Sequence, residues 1–426
     1  MRLTDGERAM LDGADGEAVA AAMDLLVRYG EVLGAERLVD TDNVCGANLF
    51  GSRHSLVCGS PTPDAAFSEH SLDAPRVLTI PPVRAQSYQL IGPMDTKHWQ
   101  VQGLPQAEHD EIVASEKYSA DHGIHLMNTC TPYQVGNVPV RGEHCAWMES
   151  SAVVYVNSVL GARTNVEGRE STGAAMLTGK IPYWGLHLEE NRHGTHLVEV
   201  TTPVQSNRDW GLLGYWIGEQ VQEEGIPVLD GITTTPDLVR LKHFGAAAAS
   251  SGGVELYHVP GITAEARSVE EAFAGAAPRV RLRYGPDERR AAYERLNGTA
   301  TDTSVDLVMI GCPHATLGQI RDVVRLLEGR RVHPDSELWV FTPRALRHIA
   351  EQNGYAQALE DAGAVLMSDT CPAIGQFLPK GTRVIATDSA KQVHYLPAIM
   401  NVQGWFGTLA ECVDAAVTGT WQGVQP

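Results

Sequence analysis

Val305-Asp306-Leu307-Val308-Met309-Ile310-Gly311-Cys312-Pro313-His314 is the stretch that decides the fold. A near-continuous apolar run closed by glycine is the pattern of a strand buried on both faces, as in parallel sheets. Outward from it, Ile320, Val323, Val324 and Leu327 recur at helical spacing. Leu338–Phe341 reads as a second strand, followed by a helix opening near Pro343, a residue the first helical turn tolerates. Ala364–Met367 is a third strand and runs into Ser368-Asp369-Thr370-Cys371. Val384–Thr387 is a fourth and runs into Asp388-Ser389-Ala390-Lys391. This alternation predicts a parallel α/β sheet. Ligands of such sheets bind beyond the carboxyl ends of the strands. Cys312, Cys371 and Lys391 all fall there.

Upstream the pattern is less regular. Thr4-Asp5-Gly6-Glu7 has the spacing of a capping box. A helix is expected from about Glu17 to Leu33, with Val19, Met23, Leu26 and Val27 at helical spacing, then a strand over Ala35–Val39. Residues 43–110 are rich in Gly, Pro and Ser, with a strand-like run at Val77–Ile80. A helix is expected over Glu108–Gly123, and the alanine run Ala246–Ala249 is placed in a helix or packed turn. A boundary near Tyr284-Gly285-Pro286 divides the expected architecture into an N-terminal and central α/β region, 1–285, and a C-terminal parallel α/β domain, 286–426.

The 426 residues allow two or three ordinary domains. A net charge of −19 opposes broad binding to nucleic acid or anionic membrane, since phosphate binding needs a basic footprint. No apolar run is long enough to span a bilayer, and the acidic N-terminal stretch has no signal-peptide core, so a cytoplasmic location is expected. Seven cysteines are too few and odd in number for a disulfide framework. Free thiols in a reducing compartment suit metal or catalysis.

Thiolates select soft or borderline metals and iron–sulfur clusters. Cys130 follows a short apolar piece, His125-Leu126-Met127, so three cysteines stand at the ends of apolar runs. Without a fourth they would leave one coordination position open, as catalysis requires. Spacing alone leaves open three separate buried thiols, the usual fate of cysteine, and that is the expectation for Cys45, Cys58, Cys145 and Cys412.

Several segments together resemble the aconitase X family: Thr129-Cys130-Thr131-Pro132-Tyr133, Gly136-Asn137-Val138-Pro139 and Gly142-Glu143-His144-Cys145-Ala146-Trp147-Met148-Glu149-Ser150-Ser151-Ala152. Asn157-Ser158-Val159-Leu160-Gly161-Ala162-Arg163-Thr164-Asn165 continues the likeness. So do Gly185-Leu186-His187, Glu190-Asn191-Arg192, Ile310–His314, Asp369-Thr370-Cys371 and Ser389-Ala390-Lys391, in the family's order. The resemblance implies an aconitase-like multi-domain α/β architecture with parallel sheets around a central metal site. It implies a hydro-lyase using an iron–sulfur cluster or mononuclear iron, with Cys130, Cys312 and Cys371 as ligands. It also implies a small swivelling domain, which no segment of this chain supplies, so a separate small subunit is expected as partner. Residues 43–75, with Cys45-Gly46-Ala47-Asn48 and Gly51-Ser52-Arg53-His54, depart from the family pattern.

Dehydration needs a Lewis acid for the departing hydroxide and a base for the carbon-bound proton. The family's base is typically a serine of the swivelling domain; Ser150, Ser151 and Ser389 are the candidates within this chain. Arg163 and Arg192 offer bidentate partners for a substrate carboxylate, with Thr164 and Asn165 beside Arg163 as polar contacts. Lys391 would stabilise negative charge, and Glu149 and His144 would orient a metal-bound water. Bacterial members of the family typically dehydrate cis-3-hydroxy-L-proline and archaeal members mevalonate 5-phosphate. The Ala-, Arg- and Gly-rich composition leans to the former, and Arg53 and His54 are candidates for a phosphate pocket. Rival readings are a non-catalytic iron-binding or iron-sensing protein, and a scaffold subunit whose cysteines lie apart. His187, His193 and His196 with Glu189 and Glu190 suggest a hydrolytic zinc site, but their spacing is not that of an HExxH helix.

Overall fold

The structure is a computed structural model that describes residues 1–46, 60, 62–222 and 225–426. Arg53, His54 and Cys58 lie outside the described residues, with the rest of 47–59 and residue 61 of the atypical segment.

The C-terminal sheet has five parallel strands in the order Val365–Ser368, Glu337–Thr342, Leu307–Ile310, Val384–Thr387, Gln403–Phe406. Leu307–Ile310 lies at its centre and is buried on both faces, which is why its sequence is apolar without alternation. Val308 and Ile310 pack with Ile320 and Val323 of the helix Leu317–Leu326, while Leu307 and Met309 face the cluster of Trp339, Phe341 and Leu396. Burial of each such side chain stabilises the fold by roughly 2 kcal/mol.

Gly311 ends the central strand with φ +103, and a Cβ there would sit 2.2 Å from the Phe341 carbonyl oxygen. Glycine alone makes this turn, and the turn delivers Cys312 to the carboxyl edge of the sheet. The chain runs from Leu307–Ile310 outward to one side, then returns to place Val384–Thr387 on the other side. The crevice between those two strands is the topological switch point, where α/β sheets bind ligands.

A second parallel sheet has the order Ile124–His125, Ser87–Gln89, Val44–Gly46, Ala146–Trp147. A third, Pro227–Asp230, His196–Val200, Val280–Tyr284, is also parallel. Leu38–Asp40 and Lys180–Pro182 form a short antiparallel pair. The helix Glu17–Val32 buries Val19, Met23 and Leu26, as their spacing predicts, and the Thr4–Glu7 capping box is formed. Ala246–Ala249 lie in the helix Leu238–Gly252 and are buried.

Val77–Ile80 is not a strand. Its backbone is tied by side chains instead: the Leu78 N–H donates to Ser68 Oγ at 2.9 Å, and the Ile80 carbonyl lies 3.1 Å from His122 Nε2. Leu78 and Ile80 are buried while Val77 is exposed, so the apolar alternation marks packing without a ladder. Among the described residues no helix is long and apolar enough to cross a membrane.

Candidate active site

Two parallel sheets aim the carboxyl ends of their strands at one cleft of about 520 Å³. From the C-terminal sheet come Cys312, Cys371 and Lys391; from the four-stranded sheet come Ile91, Cys130, Glu149 and Ser151. The remaining wall is mainly apolar, with Ala373, Ile374, Tyr395 and Leu396. The three cysteines thus line one cleft.

Glu149 follows the strand Ala146–Trp147 and caps the helix Ser150–Tyr155. Its Oε1 accepts from Lys391 Nζ at 2.5 Å and from Ser151 Oγ at 3.0 Å. Lys391 also donates to Ser150 Oγ at 3.2 Å. Burial alone would raise the Glu149 carboxyl, but the Lys391 ammonium and the Ser151 bonds more than offset it and hold it below its usual range. Burial opposes the charge on Lys391, and Glu149 with the thiols of Cys312 and Cys130 reverses this, so its pKa is raised. The pair is therefore charged across neutral pH.

Cys130 is buried, and Cys312 and Cys371 are half-buried on the cleft wall. Burial pushes Cys130, Cys312 and Cys371 up, Cys371 to about 12. Lys391 and Ser389 pull Cys312 back in part. A thiol that resists ionisation alone becomes a thiolate readily beside a metal cation. Among the described residues no three His, Cys, Asp or Glu side chains converge to cage a single ion. The donor set, three soft ligands on one cleft with an adjoining ammonium–carboxylate pair, fits an iron centre in chemistry.

Behind the thiols lie two groups that the sequence reading did not single out as site residues. Lys242, from the alanine-rich helix Leu238–Gly252, is buried and donates to the His314 carbonyl at 2.8 Å, the Pro313 carbonyl at 3.3 Å and Gln319 Oε1 at 2.8 Å. Burial lowers it to about 8. Asp388 is buried with both carboxylate oxygens lacking a hydrogen-bond partner, and burial raises it to about 6 against the pull of Lys242. Asp388 stood in a quoted motif, but Lys242 stands in no local pattern, so only the fold brings it here.

The other expected site residues lie outside the cleft lining. Ser389 caps the helix Ala390–Met400, its Oγ accepting from the Gln392 N–H at 3.1 Å, and its hydroxyl serves Cys312. His144 Nδ1 lies 2.9 Å from His187 Nδ1, where burial lowers both rings. Arg163 donates to the His187 carbonyl at 3.0 Å and pairs with Glu189. Thr164 Oγ1 accepts from the Trp147 N–H, and Asn165 Oδ1 accepts from the Leu186 N–H at 2.8 Å. Arg192 corrects the expectation of a free substrate clamp. Its five N–H groups go to Glu265, Asn157 Oδ1 and the carbonyls of Leu186, Asn157 and Ala162. No donor is left for a substrate.

Glu167, beside Asn165, is 2% exposed, and burial pushes it up to about 7, offset only in part by Ser171 and Asn165. A carboxyl raised in the fold opposes folding once ionised. The penalty is absent below its unfolded value near 4.5 and complete above about 7. Glu167→Gln is expected to raise the thermal midpoint at pH 8, by roughly 3 kcal/mol of stability at full ionisation, with the gain vanishing toward pH 4.5. Melting curves of both proteins across that range check it; an equal gain at every pH contradicts it.

Comparison with known proteins bears on the same cleft. Family profiles for the aconitase X first, second and third domains match residues 1–190, 194–294 and 305–418. The phosphomevalonate dehydratase large subunit of Methanocaldococcus jannaschii is 34% identical, over 96% of this chain and 99% of that protein. This chain belongs to the aconitase X family. The cis-3-hydroxy-L-proline dehydratase of Pseudomonas aeruginosa is 35% identical to this aconitase X chain, over 98% of it and 70% of the relative. The crystal structure of Thermococcus kodakaraensis aconitase X in its holo form superposes with a TM-score of 0.79 at 28% identity, over 98% of this chain and 100% of that one. This aconitase X chain is an enzyme, a hydro-lyase.

Proposed function

We propose that this aconitase X chain holds an iron–sulfur centre through Cys130, Cys312 and Cys371 and dehydrates cis-3-hydroxy-L-proline in the adjoining cleft. The observation that carries the reading is the meeting of three thiols from three loops with the Lys391–Glu149 pair on one cleft wall. A lone ion needs ligand sulfurs within on the order of 4 Å of one another, given metal–sulfur distances of about 2.3 Å. A cluster of several irons tolerates a wider spacing, and acid-labile sulfide tells the two apart. When bound, the centre supplies the Lewis acidity that draws off the substrate hydroxyl.

The chain's own groups do the rest. Lys391 offers its ammonium to the substrate carboxylate, and Glu149 holds that ammonium in place. The Ser151 hydroxyl proton is committed to Glu149, and Ser389 is engaged as a helix cap. Ser150, which accepts from Lys391, is the in-chain serine best placed to take a proton, because the ammonium favours its ionised form. The apolar wall of Ile91, Ile374 and Leu396 excludes bulk water. His144, Arg163 and Asn165 serve this reading indirectly, by fixing the segment from Trp184 to Glu189, and Thr164 by tying Trp147 to Asn157 and Asn165. The names of the large-subunit relatives support a separate small subunit as partner, and the free thiols suit the reducing cytoplasm.

Among the described lining residues Lys391 is the one cation. A singly charged amino-acid carboxylate suits it better than a phosphate ester, which calls for several cations. A second reading, mevalonate 5-phosphate, is favoured by the identity to the Methanocaldococcus jannaschii large subunit, with Arg53 and His54 as candidate phosphate contacts. The test is turnover by the iron-loaded chain with its small-subunit partner on each compound in turn. Water loss from cis-3-hydroxy-L-proline alone supports the first reading, and from mevalonate 5-phosphate alone the second. Iron-loaded protein inert toward both overturns both substrate readings and points to another small hydroxy acid.

A further inference from the structure

We propose that His314 is the positioning residue that sets the three cysteine loops at their mutual spacing. The proposal rests on the metal-centre reading above and deepens it. His314 stands two residues after Cys312 and is fully buried. Every polar atom it has is used, and four of its bonds bear on the cysteine loops. Its backbone N–H donates to Cys130 Sγ at 3.3 Å. Its carbonyl accepts from Lys242 at 2.8 Å and from Gln134 at 3.0 Å. Its ring lies between the residues that precede the other two cysteines: Nδ1 is 2.8 Å from Thr129 Oγ1, and Nε2 is 3.1 Å from the Thr370 carbonyl.

The partners fix the tautomer. A carbonyl can only accept, so the proton is on Nε2 and Nδ1 accepts from the Thr129 hydroxyl. Thr129 Oγ1 in turn accepts from the Thr131 N–H at 3.0 Å. One neutral ring thereby joins the Cys130 loop to the Cys371 loop, while its own backbone carries Cys312. An ordinary satisfied core histidine bonds where the packing happens to offer partners. This one bonds to the residue before each of the other two cysteines.

The two bridged loops are alike. Asn128-Thr129-Cys130 and Asp369-Thr370-Cys371 share their pattern, and Asn128 and Asp369 both have left-handed backbone, φ +46 and +69. Such a conformation outside glycine persists where the surroundings over-determine it. Here a second network does so. Glu116 accepts from Asn128 Nδ2 at 2.5 Å and from Arg344 at 2.7 Å, and Arg344 binds Asp369 through its side chain at 2.5 Å and its backbone N–H at 2.8 Å. The turns are held by Arg344 and Glu116 at their first residue and by His314 at their second, so the third, the cysteine, has little freedom.

The experiment compares full-length wild type, His314→Leu, His314→Gln and Thr129→Val. Each is reconstituted anaerobically with ferrous iron and sulfide. Iron per chain, the visible absorption spectrum and the rate of iron loss to a chelator are read, with circular dichroism and melting of the iron-free proteins as the fold control. Leucine is expected to speed iron loss at least tenfold and change the spectrum. Glutamine, whose amide oxygen can accept from Thr129 and whose amide N–H can donate to Thr370, is expected to recover most of the loss. Thr129→Val, which deletes one hydroxyl, is expected to fall between and decides the matter if the leucine variant does not fold. Wild-type spectrum and retention in a folded leucine variant, or in Thr129→Val, overturn the proposal and leave the metal-centre reading standing. Wild type that takes up no iron overturns both.

Discussion

Lys391→Met is expected to cut dehydratase turnover by about 10²–10³-fold, the cost of deleting one pre-set donor at an oxyanion. Methionine keeps the length of the side chain and removes the charge, so cleft shape changes little. The variant also strands Glu149, whose main partner is Lys391. Breaking such a largely buried pair costs roughly 3–5 kcal/mol, and with 15% and 18% of the two side chains exposed the lower end applies. The double variant Lys391→Met with Glu149→Gln separates the two effects. It is expected to regain stability and not activity. Turnover within threefold of wild type in the single variant would remove Lys391 from the mechanism. The linkage of this pair also sets a pH window. The Glu149 contribution is present above its usual 4.5 and is lost as pH falls through its lower folded value. The Lys391 contribution is complete below its usual 10.5 and is lost as pH rises through its higher folded value.

Arg192→Met is expected to destabilise the chain by roughly 3–5 kcal/mol, since it leaves a carboxylate and several oxygens without their donors. Glu265 keeps 12% of its side chain exposed and loses its ion pair. Asn157, whose Oδ1 also accepts from the Thr164 N–H, loses two bonds with Arg192. A fall of the melting midpoint of about 3–6 °C is expected, from an unfolding entropy of about 2 cal/mol/K per residue. Iron content of the surviving folded protein should match wild type, because Arg192 touches none of the cysteines. An unchanged midpoint with reduced substrate affinity would reinstate the substrate-binding role that the sequence suggested.

The contrast between these two residues shows how far sequence reading reaches. Lys391, Cys312 and Cys371 were legible because each follows an apolar run, and a run buried on both faces has one reading, a parallel strand. Val384–Thr387 was read to the residue for the same reason. The four-stranded sheet was not legible, since its strands are two or three residues long, too short for any period to register. Val77–Ile80 misled because burial of alternate residues does not require a ladder. Arg192 misled because a guanidinium looks the same in sequence whether its partner is a substrate or Glu265 from a distant loop. Lys242 and its contact with the Cys312 loop depend on the packing of two domains, which no local pattern encodes. His314 was visible as a motif, but its role depends on Thr129 and Thr370, 185 and 56 residues away.

The proposed mechanism stands on iron and sulfide held in the shared cleft by Cys130, Cys312 and Cys371. The most direct measurement is iron and acid-labile sulfide in anaerobically purified wild type and in Cys312→Ser. Iron and sulfide together in wild type, with both lost in the variant, are predicted. Wild type without iron after reconstitution, or a serine variant that holds as much, would contradict the ligand assignment and with it the proposed mechanism.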